Sequence, residues 1–205
     1  MARPSPFRTF ALASTAVALA GPLRAQSCFR GRPLPTCAQF WILETGAAVR
    51  VNSLGTGSRS NYLLGLDLGV MRNRGPRTAL GVTGFVGMGD QLTAGSSVLL
   101  SLKPRLRRWL SRTLSADLAA GPVLVAANAA PGSRLGVTGQ LGFNLNDYAG
   151  VTAQALLGRT PVVGGHATKL GLYLGGRLGS YAGLAVVILT PIVTLIAAGS
   201  GAFRG

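Results

Sequence analysis

The stretch "RLGVTGQLGFNLNDYAGVTAQALLGR" (134–159) alternates aliphatic residues with small or polar ones, turns on Asn146-Asp147-Tyr148, and alternates again. Nothing else in the chain narrows its fold as much. Successive side chains of a strand leave opposite faces, so strict period-2 alternation reads as strand and excludes an amphipathic helix. Eight segments keep aliphatics on one parity and ionisable or small residues on the other: 41–52, 61–72, 78–88, 92–103, 113–122, 134–145, 148–157 and 168–178. In the first, Glu44, Gly46, Arg50 and Asn52 oppose Trp41, Leu43, Val49 and Val51. In the last, Lys169, Gly171, Tyr173, Gly175 and Arg177 oppose Leu170, Leu172, Leu174 and Leu178.

The composition of the polar face decides which side is inside. A soluble sandwich or a ligand-binding barrel turns its aliphatics inward and shows Lys, Glu and Asp to water. Here the opposing face is mostly Gly, Ala, Ser, Thr, Asn and Gln, which suits a narrow interior, with the aliphatics facing lipid. Segment lengths fit the roughly 9–11 residues and dyad repeat of a transmembrane strand. Connections after the second, fourth, sixth and eighth segments read as tight turns, and those after the third, fifth and seventh are on average longer, apart from the short "GDQ". Short turns on one rim and longer loops on the other is the layout of such barrels. Trp41, Trp109, Tyr148 and Tyr181 then fall on the short-turn rim, where aromatic rings favour a water–lipid boundary.

On these segments, turns and aromatics, residues 41–178 resemble the small eight-stranded bacterial outer-membrane β-barrels. The likeness is architectural, supported by the internal echo of "LGVTGF" (80–85) and "LGVTGQ" (135–140). It implies an all-β, antiparallel up-and-down transmembrane barrel of about eight strands in the outer membrane of a Gram-negative-type cell.

The N-terminus agrees with export. Arg3 and Arg8, the apolar run 10–20 and a small-residue exit form a secretory signal peptide, with cleavage expected after Ala25 and Ala20 as the alternative site. An uncleaved anchor helix needs about 20 apolar residues, more than this run supplies, and "AQS" before Cys28 is not the small-residue pattern of a lipidated cysteine. The mature chain is a single domain. Residues 26–40 form a strap, and in an oxidising compartment Cys28 and Cys37 are expected to close a disulfide. Two cysteines and one histidine make no zinc site of the usual four-ligand kind, and no cofactor is expected.

The chain holds 20 Lys and Arg against 5 Asp and Glu. Such a balance first suggests nucleic acid. A signal peptide, 30 glycines and basic residues gathered at turns argue against it.

Within the barrel, Glu44, Asp67 and Asp117 share the interior parity with Arg50, Lys169 and Arg177. Charges facing one another in a narrow lumen must pair, and a network plugging an eight-stranded interior is the expectation. A small gated pore is the competing reading. The cluster "KPRLRRWLSR" places Lys103, Arg105, Arg107, Arg108 and Arg112 around Trp109 at what reads as a periplasmic turn, positioned to grip anionic lipid headgroups. Catalysis on lipid would require a nucleophile beside His166, the single histidine, and Ser180, the nearest serine, belongs to the opposite rim. Residues 179–205 break the pattern, since 184–198 is apolar on both parities. A closing strand is favoured slightly over a helix there, although Pro191 cannot donate to a ladder.

The expected role is a non-enzymatic structural or interaction protein of the envelope, presenting loops 125–133 and 158–167. A narrow channel, a lipid-modifying enzyme and a soluble periplasmic binding barrel follow as alternatives.

Overall fold

The computed structural model describes residues 27–52, 62–90, 96–127, 133–162 and 165–199; the signal sequence, the loop tips between these segments and the last six residues lie outside them. A two-residue strand β1 (Ser27–Cys28) precedes β2 (Gln39–Arg50), β3 (Tyr62–Gly75), β4 (Thr78–Asp90), β5 (Ser96–Trp109), β6 (Leu114–Ala127), β7 (Ser133–Leu145), β8 (Ala149–Val162) and β9 (Gly165–Gly179), and a helix α1 (Ser180–Gly199) follows. Strands β2 to β9 pair in sequence order, every pair antiparallel, and β2 also pairs with β9. This closes an eight-stranded up-and-down barrel with no free edge. β1 lies parallel to β2 and belongs to the strap.

Closure explains why the strands run longer than their alternation alone suggested. Once a neighbour supplies hydrogen bonds on both sides, a segment continues past a locally weak pattern. β5 therefore runs through Pro104 to Trp109, and β6 and β8 extend to Ala127 and Val162. Of the loops expected at 125–133 and 158–167, only 128–132 and 163–164 fall between strands, outside the described residues. At the other rim the turns are short: 76–77, 110–113 and 146–148. In the last of these Asn146 and Asp147 hold positive φ (52° and 58°), which their short polar side chains tolerate better than most residues. The Tyr148 amide donates to the Leu145 carbonyl at 3.1 Å.

The aliphatic parity faces outward. Leu68, Val82, Leu102, Leu135, Val151 and Leu174 are all exposed, Leu135 by 72%. Lys103 and Arg107 are 0% exposed. This is the reverse of the order expected of a soluble binding barrel. Inward glycines make the space the interior needs. A Cβ on Gly87 would stand 2.7 Å from the Phe85 ring, and one on Gly142 would collide with the Arg177 guanidinium.

The tail is a helix and not a closing strand. With β2 and β9 already paired, no edge remains for another strand, and Ser180, at φ 51°, turns the chain out of β9. α1 sets off along the outer wall: a Cβ on Gly183 would lie 2.7 Å from the Leu43 carbonyl oxygen and 2.9 Å from that of Leu178. This contact leaves Leu43 buried although its parity points outward. The described part of α1 keeps Tyr181, Val186, Ile188 and Leu189 exposed. Among the described residues, no helix is long and apolar enough to cross a membrane, which says nothing of the strands.

Candidate functional site

The lumen is stratified. At the turn end Phe40, Ile42, Met71, Ala79 and Trp109 form one apolar cluster. At the loop end Ala48, Leu63, Phe85, Leu99, Val123, Val125, Leu156 and Tyr173 form a second. Between them lies a layer of charge, buried because its strand members occupy the inward parity and Asp147 reaches it from the turn 146–148.

Glu44 on β2 and Asp67 on β3 are direct register partners, an arrangement that repels unless cations stand between. β5 supplies them. Lys103 Nζ lies 2.7 Å from Asp67 Oδ1 and donates to Gln140 Oε1 at 2.6 Å. Arg105 Nη2 donates to Glu44 Oε2 at 2.8 Å and also pairs with Asp117. Arg107 donates from Nε to Asp117 Oδ1 at 2.6 Å and from Nη1 to Asp147 Oδ1 at 2.7 Å. Arg177 on β9 reaches Glu44 at 3.1 Å and Asp117 at 3.0 Å. Asn144 Nδ2 adds a bond to Asp117 at 2.7 Å. The layer thus sets four carboxylates against four cations, all buried. Such balance offsets the desolvation that would expel a lone charge. Beside it a cavity of about 30 Å³, bordered by Glu44, Asp67, Gln140 and Arg177, has room for about one water.

Of the residues read from sequence as lumen charges, Glu44, Asp67, Asp117 and Arg177 meet in this layer. Two do not. Arg50 sits at the loop end, where its Nε donates to Asn52 Oδ1 at 2.8 Å and its Nη2 to the Leu170 carbonyl at 3.2 Å. Lys169 is exposed near the start of β9. Both share the parity but stand beyond the apolar cluster that caps the lumen.

Lys103, Arg105 and Arg107 were expected at a turn, facing headgroups, and instead supply three of the four cations of the lumen. The strand carries odd positions inward as far as Trp109, so the same rule that placed Ser97 inside places these three there. The run of arginines and Pro104 imitates a turn, yet Pro104 costs little: it points outward, where the β5–β6 register is interrupted between Ser101↔Val123 and Arg105↔Ala119. Arg108 and Arg112 remain exposed at the turn end. Trp109, expected in the interfacial rim, is 5% exposed, and its Nε1 donates to Asn73 Oδ1 at 2.9 Å while its ring packs on Phe40. Trp41, Tyr148 and Tyr181 do stand exposed at this end.

The strap closes the turn end. Its Cys28–Cys37 disulfide is formed. Asn73 Nδ2 donates to the carbonyls of Arg32 and Cys37, each at 2.7 Å, and the Gly31 amide donates to Asp147 Oδ2 at 2.9 Å. The Ser180 hydroxyl gives the same oxygen another bond at 2.9 Å. Arg30 stacks on Tyr148, and Phe29 packs against Tyr181 at 5.0 Å between ring centroids. Asp147 therefore joins strap, barrel and helix at one carboxylate.

Burial alone would raise the Asp147 pKa, but Arg107, the Gly31 amide and the Ser180 hydroxyl outweigh it and hold the group below its ordinary value. A carboxyl depressed in the folded state contributes stability above its unfolded pKa, about 3.9, and loses it as pH falls through the lower folded value. Strap docking, followed by the NMR shift of the Gly31 amide, is accordingly expected to persist to about pH 4 and to fail only below it. Asp147→Asn should loosen the strap at neutral pH; release of the wild-type strap near neutrality would contradict this account.

His166 opens β9 opposite Pro161, and Ser180 follows the far end of the same strand. The two backbones stand the whole length of β9 apart, too far for a nucleophile and its base. Among the described residues no group of three or more His, Cys, Asp and Glu could hold a metal ion. No protein-family model matches the chain, and no curated protein matches it.

Proposed function

We propose that the chain is a transmembrane β-barrel of an outer membrane, exported by residues 1–25, with a closed lumen and a non-enzymatic structural or interaction role in the cell envelope. The observation that carries the reading is the inversion of the wall. On β4 the outward residues Leu80, Val82, Val86 and Met88 are each about half exposed, and at about 3.3 Å per residue they cover roughly 26 Å of strand, which at a tilt of about 40° is about 20 Å of height, most of the roughly 25 Å apolar band of such barrels. Water would leave a surface of that extent unstable or aggregating, while hydrocarbon rewards it. The disulfide suits an oxidising compartment.

A filled interior favours a structural role over a channel. Two apolar clusters and the charged layer occupy the described lumen, and eight strands leave a bore just wide enough for side chains.

The test is to fractionate the envelope of an expressing Gram-negative cell and run the outer-membrane fraction by gel with and without boiling. A band in that fraction whose mobility shifts on heating is the expected result. Recovery of the protein from the soluble periplasm would overturn the reading.

A further inference from the structure

Glu44, Asp67, Asp117 and Asp147, the carboxylates whose side chains are described, are all buried. The described outer surface therefore carries cations alone, and they are unevenly placed. Arg72 and Arg74 lie near the end of β3, Arg77 in the following turn, Arg108 near the end of β5 and Arg112 in the turn after it. β4 brings the two groups together, since Arg72 pairs with Leu80 and Arg108 with Thr78. Arg72, Arg74 and Arg108 share the outward parity of Val70 and Leu106. None of the five guanidiniums takes part in an ion pair or hydrogen bond among the described residues.

The aliphatic belt ends directly against this sector, with Leu80 and Leu106 both exposed. Elsewhere the rim carries Leu114, Leu145, Tyr148 and Tyr181, and Arg30 of the strap lies stacked on the Tyr148 ring. Beneath the sector, strap and turns enclose a cleft of about 540 Å³, bordered by Arg32, Arg77, Arg112, Trp109 and Leu110, within the size range of small-ligand sites.

We propose that this arginine sector binds the phosphodiester headgroups of anionic phospholipids in the leaflet at the turn end. The proposal rests on the transmembrane reading above. Guanidinium pairs with phosphate through paired N–H donors, and the rows above it offer aliphatic contact to the acyl chains of the same lipid. A soluble polyanion would have no use for that continuity with the belt. Confinement to β3–β5 makes the contact one-sided, so anionic lipid gathers on one flank of the barrel.

The experiment compares three proteins in nanodiscs of phosphatidylcholine holding a minority of phosphatidylglycerol: wild type, the combined Arg72→Gln, Arg74→Gln, Arg77→Gln, Arg108→Gln and Arg112→Gln variant, and a loop-end control with Arg159→Gln and Lys169→Gln. The readout is the phosphatidylglycerol retained with the protein, by native mass spectrometry. Wild type and control are expected to enrich it about five-fold over bulk, and the sector variant to lose that enrichment. Wild-type enrichment should also fall as salt rises, a reading that stands if the variant fails to fold. Equal retention by wild type and sector variant, an equal loss in the control, or enrichment insensitive to salt would each overturn the proposal. The unboiled gel is run on every sample. A wild type that inserts and shifts on heating but shows no lipid preference defeats this proposal alone, whereas one that never shifts defeats the transmembrane reading as well.

Discussion

Asp117→Ala is expected to destabilise the barrel by about 3–5 kcal/mol, the usual cost of removing one partner from a buried ion pair. Asp117 is bonded to Arg105, Arg107, Arg177 and Asn144, so its loss leaves four buried cations facing three carboxylates. Beyond the roughly one water that the adjoining cavity can hold, the apolar clusters on both sides keep solvent from the layer. The check is the urea midpoint of the folded band on unboiled gels. Combining Asp117→Ala with Arg105→Met restores three against three and should recover part of the loss, a coupling expected only where the groups share one network. A single-variant shift below about 1 kcal/mol would mean that the layer is far wetter than its geometry implies.

Val86→Arg separates lipid from water at the wall. Val86 is 47% exposed near the middle of the aliphatic belt, paired with Leu66 and Leu100. If hydrocarbon covers it, the substitution should cost about 2–4 kcal/mol, while Leu80→Arg at the boundary should cost about 0–1 kcal/mol. On a wall facing water both would fall within about 0.5 kcal/mol of zero. Refolding into vesicles and titrating with urea reads the difference, and equal, negligible effects would count against a membrane.

The barrel was legible because its signal is local. A period of two, sustained for ten residues, shows in the sequence of a single strand, and parity then assigned Glu44, Asp67, Asp117 and Arg177 to the interior without knowledge of any neighbour. Arg105 and Arg107 were missed, and Lys103 was set among the headgroup ligands although it closes the polar parity of 92–103, because a dense basic run looks like a turn when read by composition. The signal that finds them was present: they continue the parity of Ser97 and Ser101, and the inward carboxylates lacked cations. Arg50 and Lys169 obey the same parity yet stay outside the layer, since parity reports a face and not a height along the barrel. The tail offered no period, and an apolar run that serves helix and strand equally is resolved only by whether an edge remains to pair with. The role of Asp147 was invisible for another reason. Its partners Gly31, Arg107 and Ser180 come from three distant segments, and nothing in a turn of Asn and Asp announces them.

The charged layer also bears on the order in which the chain can assemble. Arg177 belongs to the last strand and Glu44 to the first of the barrel, 133 positions apart, while Arg105 and Arg107 come from the middle. A chain that has formed only its early hairpins holds the β5 cations but lacks the strand that brings Arg177 beside Glu44. Contacts between segments so far apart form slowly, and until they form the half-built wall carries uncompensated charge on the face that must become its interior. Moving such an intermediate into hydrocarbon strand by strand would be opposed at each step. Under the transmembrane reading proposed above, the two ends are expected to join before, or together with, entry into the bilayer, so that the ionic layer ties insertion to ring closure.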